Sequence, residues 1–227
     1  MNQQIKAMAV AALCILPVLS SAALITDPAG DFLPSYIGPR NGDMDVLQAE
    51  VFFDGSSFLF TSTSNAAIGT TPGGVFVWGI NRGAGFATLP DIAPGVTFDS
   101  VVIIVPGGGS FAQALDTTGT TPIPAADVNI SGAFLSARVP LSALPSLGAT
   151  PDAYTVNLWP RSELLLIDPV VSDFAPNNSN APVTVVPEPG TLLSLGAAFA
   201  ALALRQLYPK GRRKAQAARP ICSPRSR

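Results

Sequence analysis

The chain has 227 residues, 48% hydrophobic and 12% charged, with two cysteines and no histidine. The missing histidine removes the usual general base, the usual partner of a serine or cysteine nucleophile and the commonest zinc or haem ligand. Fifteen acidic residues face only four arginines between Asp27 and Glu188, a net charge of −11 that argues against nucleic acid and anionic headgroups as partners and suits divalent cations, neutral glycans or solubility alone.

Residues 1–23 read as a secretory signal peptide. Lys6 supplies the positive start, Ala7 to Leu19 the apolar stretch, and Ser20-Ser21-Ala22-Ala23 the small residues a signal peptidase reads, with cleavage expected after Ala22 or Ala23. Signal peptidase and the secretion machinery are therefore expected partners. Cys14 lies in this segment and Cys222 in the tail, so the exported domain carries no disulfide and is expected to rely on core packing.

Residues 24–182 have the size of one domain with one core. Asp27-Pro28-Ala29-Gly30-Asp31 is turn chemistry, and a loop rich in Pro and Gly follows. Val46 to Phe53 reads as the first long strand, with Asp54-Gly55 as a tight turn and Ser57 to Thr63 as the return strand of a hairpin. Val75 to Ile80 is apolar on both faces, which predicts a central strand. Short strands are expected near Phe86 to Leu89, over Val96 to Val105, Ser110 to Leu115, Val128 to Ser131 and Ala133 to Val139. A helical turn at Pro140 to Leu144 and an alternating strand at Tyr154 to Trp159 complete the domain. Eight or nine short strands with turns between them and no amphipathic helix predict an all-β fold, an antiparallel β-sandwich.

The C-terminal part is organised differently. Val186-Pro187-Glu188-Pro189 places two prolines around one glutamate, which cannot continue a helix or a central strand, so residues 183–191 read as an extended hinge. Residues 192–208 read as a transmembrane helix. The uncharged run from Leu192 to Leu204 spans only about 20 Å, short of the roughly 30 Å hydrocarbon core, and Arg205 extends it by snorkelling. Eight basic residues and no acidic one from Arg205 onward place the tail, residues 209–227, on the cytoplasmic side.

This order of Pro-Glu-Pro, apolar helix and basic cluster resembles the PEP-CTERM sorting signal of Gram-negative envelope and biofilm proteins. The resemblance implies an exosortase, a membrane protease and transpeptidase, as processing partner. It also implies transient anchoring in the inner membrane with the domain outside, then release to the outer surface or the extracellular matrix. Within the domain, the Asp-Pro-x-Gly-Asp opening, the Asp-x-Asp before the first hairpin and the run from Arg138 to Leu144 leading to Tyr154 through Arg161 resemble the DOMON and family-nine carbohydrate-binding-module type of β-sandwich. That resemblance implies a module that binds sugar, haem or no known ligand, in some cases with structural calcium.

Three sets of residues invite chemistry. Asp27, Asp31, Asp43 and Asp45 offer the carboxylate oxygens a hard cation needs, and Asp173 lies where it could return to the same edge. With calcium as the candidate ion, Asp31, Asp43 and Asp45 are the expected ligands, because residues two apart in an extended chain share a side. Aspartates beside Gly and Pro also make turns without any ion. Trp78 and Trp159, followed closely by Arg82 and Arg161 respectively, are the candidates for stacking on and hydrogen-bonding a sugar, although the apolar residues flanking both rings favour core packing. Gly107-Gly108-Gly109 follows a strand but lacks the downstream lysine of a phosphate loop. The leading expectation is a non-catalytic acidic domain of the envelope or matrix. A calcium-dependent module binding extracellular polysaccharide is one alternative, and a polysaccharide hydrolase with two carboxyls across a groove is another.

Overall fold

The computed structural model describes residues 23–162 and 171–186, together with Gly196, Ala198 and Phe199. The signal peptide and nearly all of the expected transmembrane helix and basic tail lie outside the described residues. Among the described residues no helix is long and apolar enough to cross a membrane. The chain divides into a unit ending at Val186 and a second, Pro187–Arg227, of which the three described residues are helical.

The first unit is all-β. Its strands are β1 (Ile25–Thr26), β2 (Val46–Phe53), β3 (Ser57–Ser64), β4 (Gly74–Asn81), β5 (Phe86–Ala87), β6 (Thr97–Phe98), β7 (Ser100–Ile104), β8 (Phe111–Ala114), β9 (Thr120–Pro122), β10 (Val128–Ser131), β11 (Phe134–Pro140), β12 (Thr155–Ser162), β13 (Ala181–Pro182) and β14 (Thr184–Val185). Eight of the fourteen have four residues or more. One sheet runs β1-β2-β3-β11-β10 and the other β13-β12-β4-β7-β8-β9, with β5-β6 as a separate ribbon.

Alternation explains the sandwich. In β2 and β3, Ala49, Val51, Phe53, Phe58 and Phe60 point inward, while Gln48, Glu50, Thr61 and Thr63 line the other face. The inward set meets Phe76, Trp78 and Ile80 of β4, Val102 and Ile104 of β7, and Val156 and Leu158 of β12 in one intersheet core. Phe58 sits at its centre, stacked on Phe53 and Tyr154 at 4.7 and 5.6 Å. As its two-sided apolar sequence predicts, β4 is central, between β12 and β7. Its outer residues Val75 and Val77 join a second core with Ala93, Val96, Phe98, Trp159 and Phe174. The second sheet is thus covered on both faces.

Three local differences have physical causes. The stretch from Val96 to Val105 is two strands, one paired with β5 and one in the second sheet, and at the break between them the Asp99 carboxylate accepts from the amides of Arg82 and Ala84. The first hairpin turns over Asp54, Gly55 and Ser56, with the Asp54 carboxylate accepting from the Ser56 and Ser57 amides at 2.9 and 2.8 Å. The segment expected to begin the hinge is still sheet: β14 pairs with β2 in the one parallel pairing described, and the Val186 amide donates to the Phe53 carbonyl at 2.9 Å.

Candidate functional site

Acidic side chains gather where the first and last segments of the domain meet the start of β2. The pairing of β1 with Gln48 and Ala49, and the 2.9 Å bond from the Asp27 amide to the Leu47 carbonyl, fix Asp27 beside β2. The turn that follows folds back through Gly30, whose φ of 81° suits glycine, and the Gly30 amide donates to Asp45 Oδ2 at 2.8 Å. That turn places Asp31 next to Asp27. Asp173 arrives from the opposite end of the chain, in a segment bridged to β12 at Val171 and Ala175. Its two oxygens accept from the amides of Val46 at 2.8 Å and Phe174 at 2.7 Å.

One carboxylate oxygen each of Asp27, Asp31 and Asp173 lies within 4.8 Å of the other two. Asn177 closes the side, its Nδ2 donating to Asp31 Oδ2 at 3.2 Å and, more weakly, to Asp27 Oδ1 at 3.4 Å. Asp45 and Asp173 are each only 1% exposed. Like charges this close in a partly dry place oppose ionisation. Burial first, then the charges of Asp173 and Asp31, push the Asp27 carboxyl well above the usual carboxylate range. Burial also raises that of Asp173, against the two amides that favour its charge. The donors are all oxygen, with neither nitrogen nor sulfur among them.

Of the ligands expected from sequence, Asp31 belongs to this group of three, Asp45 lies outside it but close enough for its charge to bear on Asp27 and Asp173, and Asp43 takes no part. Asp43 accepts from the Thr71 amide and hydroxyl at 2.6 and 2.7 Å. The chain is turning at residues 42–45, with the Asp45 amide bonded to the Gly42 carbonyl, so two-residue alternation does not yet hold there. Asn65 and Asn177, which brace the cluster, carried no signal beyond nearness to a turn.

The tryptophan and arginine candidates are not brought together. Trp78 is fully buried in the intersheet core, edge-on to Phe60. Trp159 is 4% exposed on the opposite face of the same sheet, packed between Phe98 and Phe174. Neither ring offers a face to a sugar. Arg82 is buried, its Nε 2.7 Å from Asp99 Oδ1 and its Nη2 3.0 Å from Asp116 Oδ1. Arg161 lies on β12 opposite Val75 and Val171.

A family model described as the PEP-CTERM protein-sorting motif matches residues 185–206, so the match begins inside β14 and takes in Val186, Pro187, Glu188 and Pro189. A search of the curated proteins finds no match. The chain thus carries a PEP-CTERM sorting motif, which marks it for export to the cell surface or beyond and for processing by an exosortase.

Proposed function

We propose that this is a structural protein of a Gram-negative cell envelope or biofilm matrix, whose acidic β-sandwich is displayed or released as a non-catalytic body once the sorting signal has been processed. The observation that carries this reading is the continuity of sheet and motif. Backbone pairing reaches Val186, and Pro187 follows with no linker between. A cut near Pro187-Glu188-Pro189 therefore leaves every described strand of the domain intact. The inner membrane holds the precursor through the apolar run at 192–208 until that cut.

The hydrolase reading has a neighbouring carboxyl pair in Asp27 and Asp173, but Asp173 is buried with both oxygens on backbone amides, which leaves no groove between them for a sugar. The glycan-binding reading has one observation in its favour. Phe134, 40% exposed, stands beside Gln48, Glu50, Thr61 and Thr63 in a shallow recess on the outer face of the first sheet.

The test is fractionation of extracellular matrix from cells producing the full chain, alongside a deletion strain. The expected result is a processed domain that co-purifies with matrix, and a weaker matrix in the deletion strain with its polysaccharide unshortened in either. Polysaccharide that becomes shorter on addition of the purified protein refutes the non-catalytic reading and favours the hydrolase. Matrix that is equally strong without the protein refutes the structural role.

A further inference from the structure

We infer that Asp27, Asp31, Asp45 and Asp173 form a binding site for one calcium ion, which locks the first and last segments of the domain onto the start of β2. This goes beyond the structural role proposed above and does not depend on it. The donor set is the first reason. Several carboxylate oxygens without nitrogen or sulfur select a hard cation. Spacing is the second. Calcium–oxygen distances of about 2.3–2.6 Å put opposite ligands roughly 5 Å apart, whereas magnesium at about 2.0–2.1 Å requires roughly 4 Å and an octahedral shell. Three oxygens within 4.8 Å of one another can share one ion, and donors on irregular loops suit the larger ion, whose shell is the more flexible.

An independent observation points to a missing partner. Asp45 is 1% exposed, yet its Oδ1 is buried and accepts no hydrogen bond, while Oδ2 takes the Gly30 amide and the Asn65 side chain. Asp27 Oδ2 and Asp31 Oδ1 are buried without partners too. Buried polar atoms are nearly always satisfied, so orphan oxygens on two of the three clustered carboxylates, and a third on nearby Asp45, are unusual. The charges that bear on Asp27 besides its own are those of Asp173, Asp31 and Asp45, all of the same sign. A divalent cation supplies both the charge and the coordination they lack. Half a turn of the Asn177 amide brings its carbonyl oxygen to where Nδ2 now meets Asp27 and Asp31, which adds a neutral ligand.

The consequence follows from where the ligands lie in the chain. Residues 27–31 come directly after the expected signal-peptide cleavage, Asp45 precedes β2, and Asp173 lies shortly before the sorting motif. One ion therefore joins both ends of the domain, and folding becomes tighter where calcium is plentiful.

The experiment is isothermal titration of the full chain, purified in mild detergent, stripped with EDTA and exchanged into chelator-free buffer, with calcium chloride and in parallel with magnesium chloride. The expected result is one calcium per chain with Kd of about 10⁻³ M or tighter, weaker magnesium binding, and a Tm rise of roughly 5–10 °C at about 100 times Kd. D31N and D45N are expected to weaken calcium binding at least tenfold, while D43N, outside the cluster, leaves Kd unchanged. Should D45N fail to fold, D31N on its partly exposed turn keeps the test open. The absence of both binding heat and a Tm shift at 10 mM calcium overturns the inference, and so does binding that D31N leaves unaltered.

Discussion

Replacing Arg82 with methionine decides whether this arginine serves the fold or a ligand. The guanidinium donates to Asp99 Oδ1 at 2.7 Å, to the Pro145 carbonyl at 2.8 Å and to Asp116 Oδ1 at 3.0 Å, tying together four separate stretches of chain. Methionine keeps much of the apolar stem but leaves the Asp99 carboxylate, whose side chain is 4% exposed, with only the amides of Arg82 and Ala84. Removing one partner of a buried pair costs about 3–5 kcal/mol, because the other charge stays buried. That is a large share of the roughly 5–15 kcal/mol that holds a domain together. R82M is therefore expected to lower Tm by roughly 6–20 °C. Urea unfolding of residues 23–186, followed through the buried tryptophans, measures the free energy. Adding D99N to R82M removes the stranded charge and is expected to recover at least about 1 kcal/mol. A loss below about 1 kcal/mol in R82M, with no coupling to Asp99, refutes the buried ion pair and returns Arg82 to the candidates for ligand binding.

Two further expectations follow from packing and charge. A Cβ added at Gly79 would clash with Cζ3 of Trp159 and lie 3.1 Å from Phe98, so G79A is expected to cost about 1–3 kcal/mol and to change Trp159 emission; an unchanged Tm and spectrum refutes the ring contact. The Ser56 amide first, then Arg138 and the Ser57 amide, hold the Asp54 carboxyl well below the usual carboxylate range. A carboxyl lowered on folding stabilises the protein above its unfolded pKa of about 3.9 and loses that contribution as pH falls below it. The stability gap between wild type and D54A is therefore expected to be small and positive at pH 7, since the site is exposed, and to close below pH 4. A gap that widens in acid contradicts this account.

The long elements were legible in the sequence because their side-chain patterns are local. Val46 to Phe53 coincides with β2, since the alternation from Ala49 to Phe53 and the Asp-Gly turn fix its face and its end, while the register shifts between Val46 and Gln48. The two-sided apolar run of β4 announced its central position for the same reason. The short edge strands did not announce themselves. β1, β13 and β14 have two residues each and exist because a neighbour offers unpaired backbone groups, which no local pattern encodes.

The candidate site divides along the same line. Sequence singled out the aspartates, because Asp-Pro-x-Gly-Asp and Asp-x-Asp are conspicuous as chemistry, and it determined the sorting motif outright, because a processing enzyme reads that motif as linear chain. Which carboxylates converge was a tertiary decision. A turn at residues 42–45 sends Asp43 to Thr71 and Asp45 inward, and the bridge of Ala175 to Leu158 carries Asp173 across 127 residues of chain to the Val46 amide. The burial of both tryptophans was decided in the same way, by two sheets and an overlying loop closing around them. Local chemistry names the groups a protein has to work with, but the free energy of burying them against distant segments sets which ones meet.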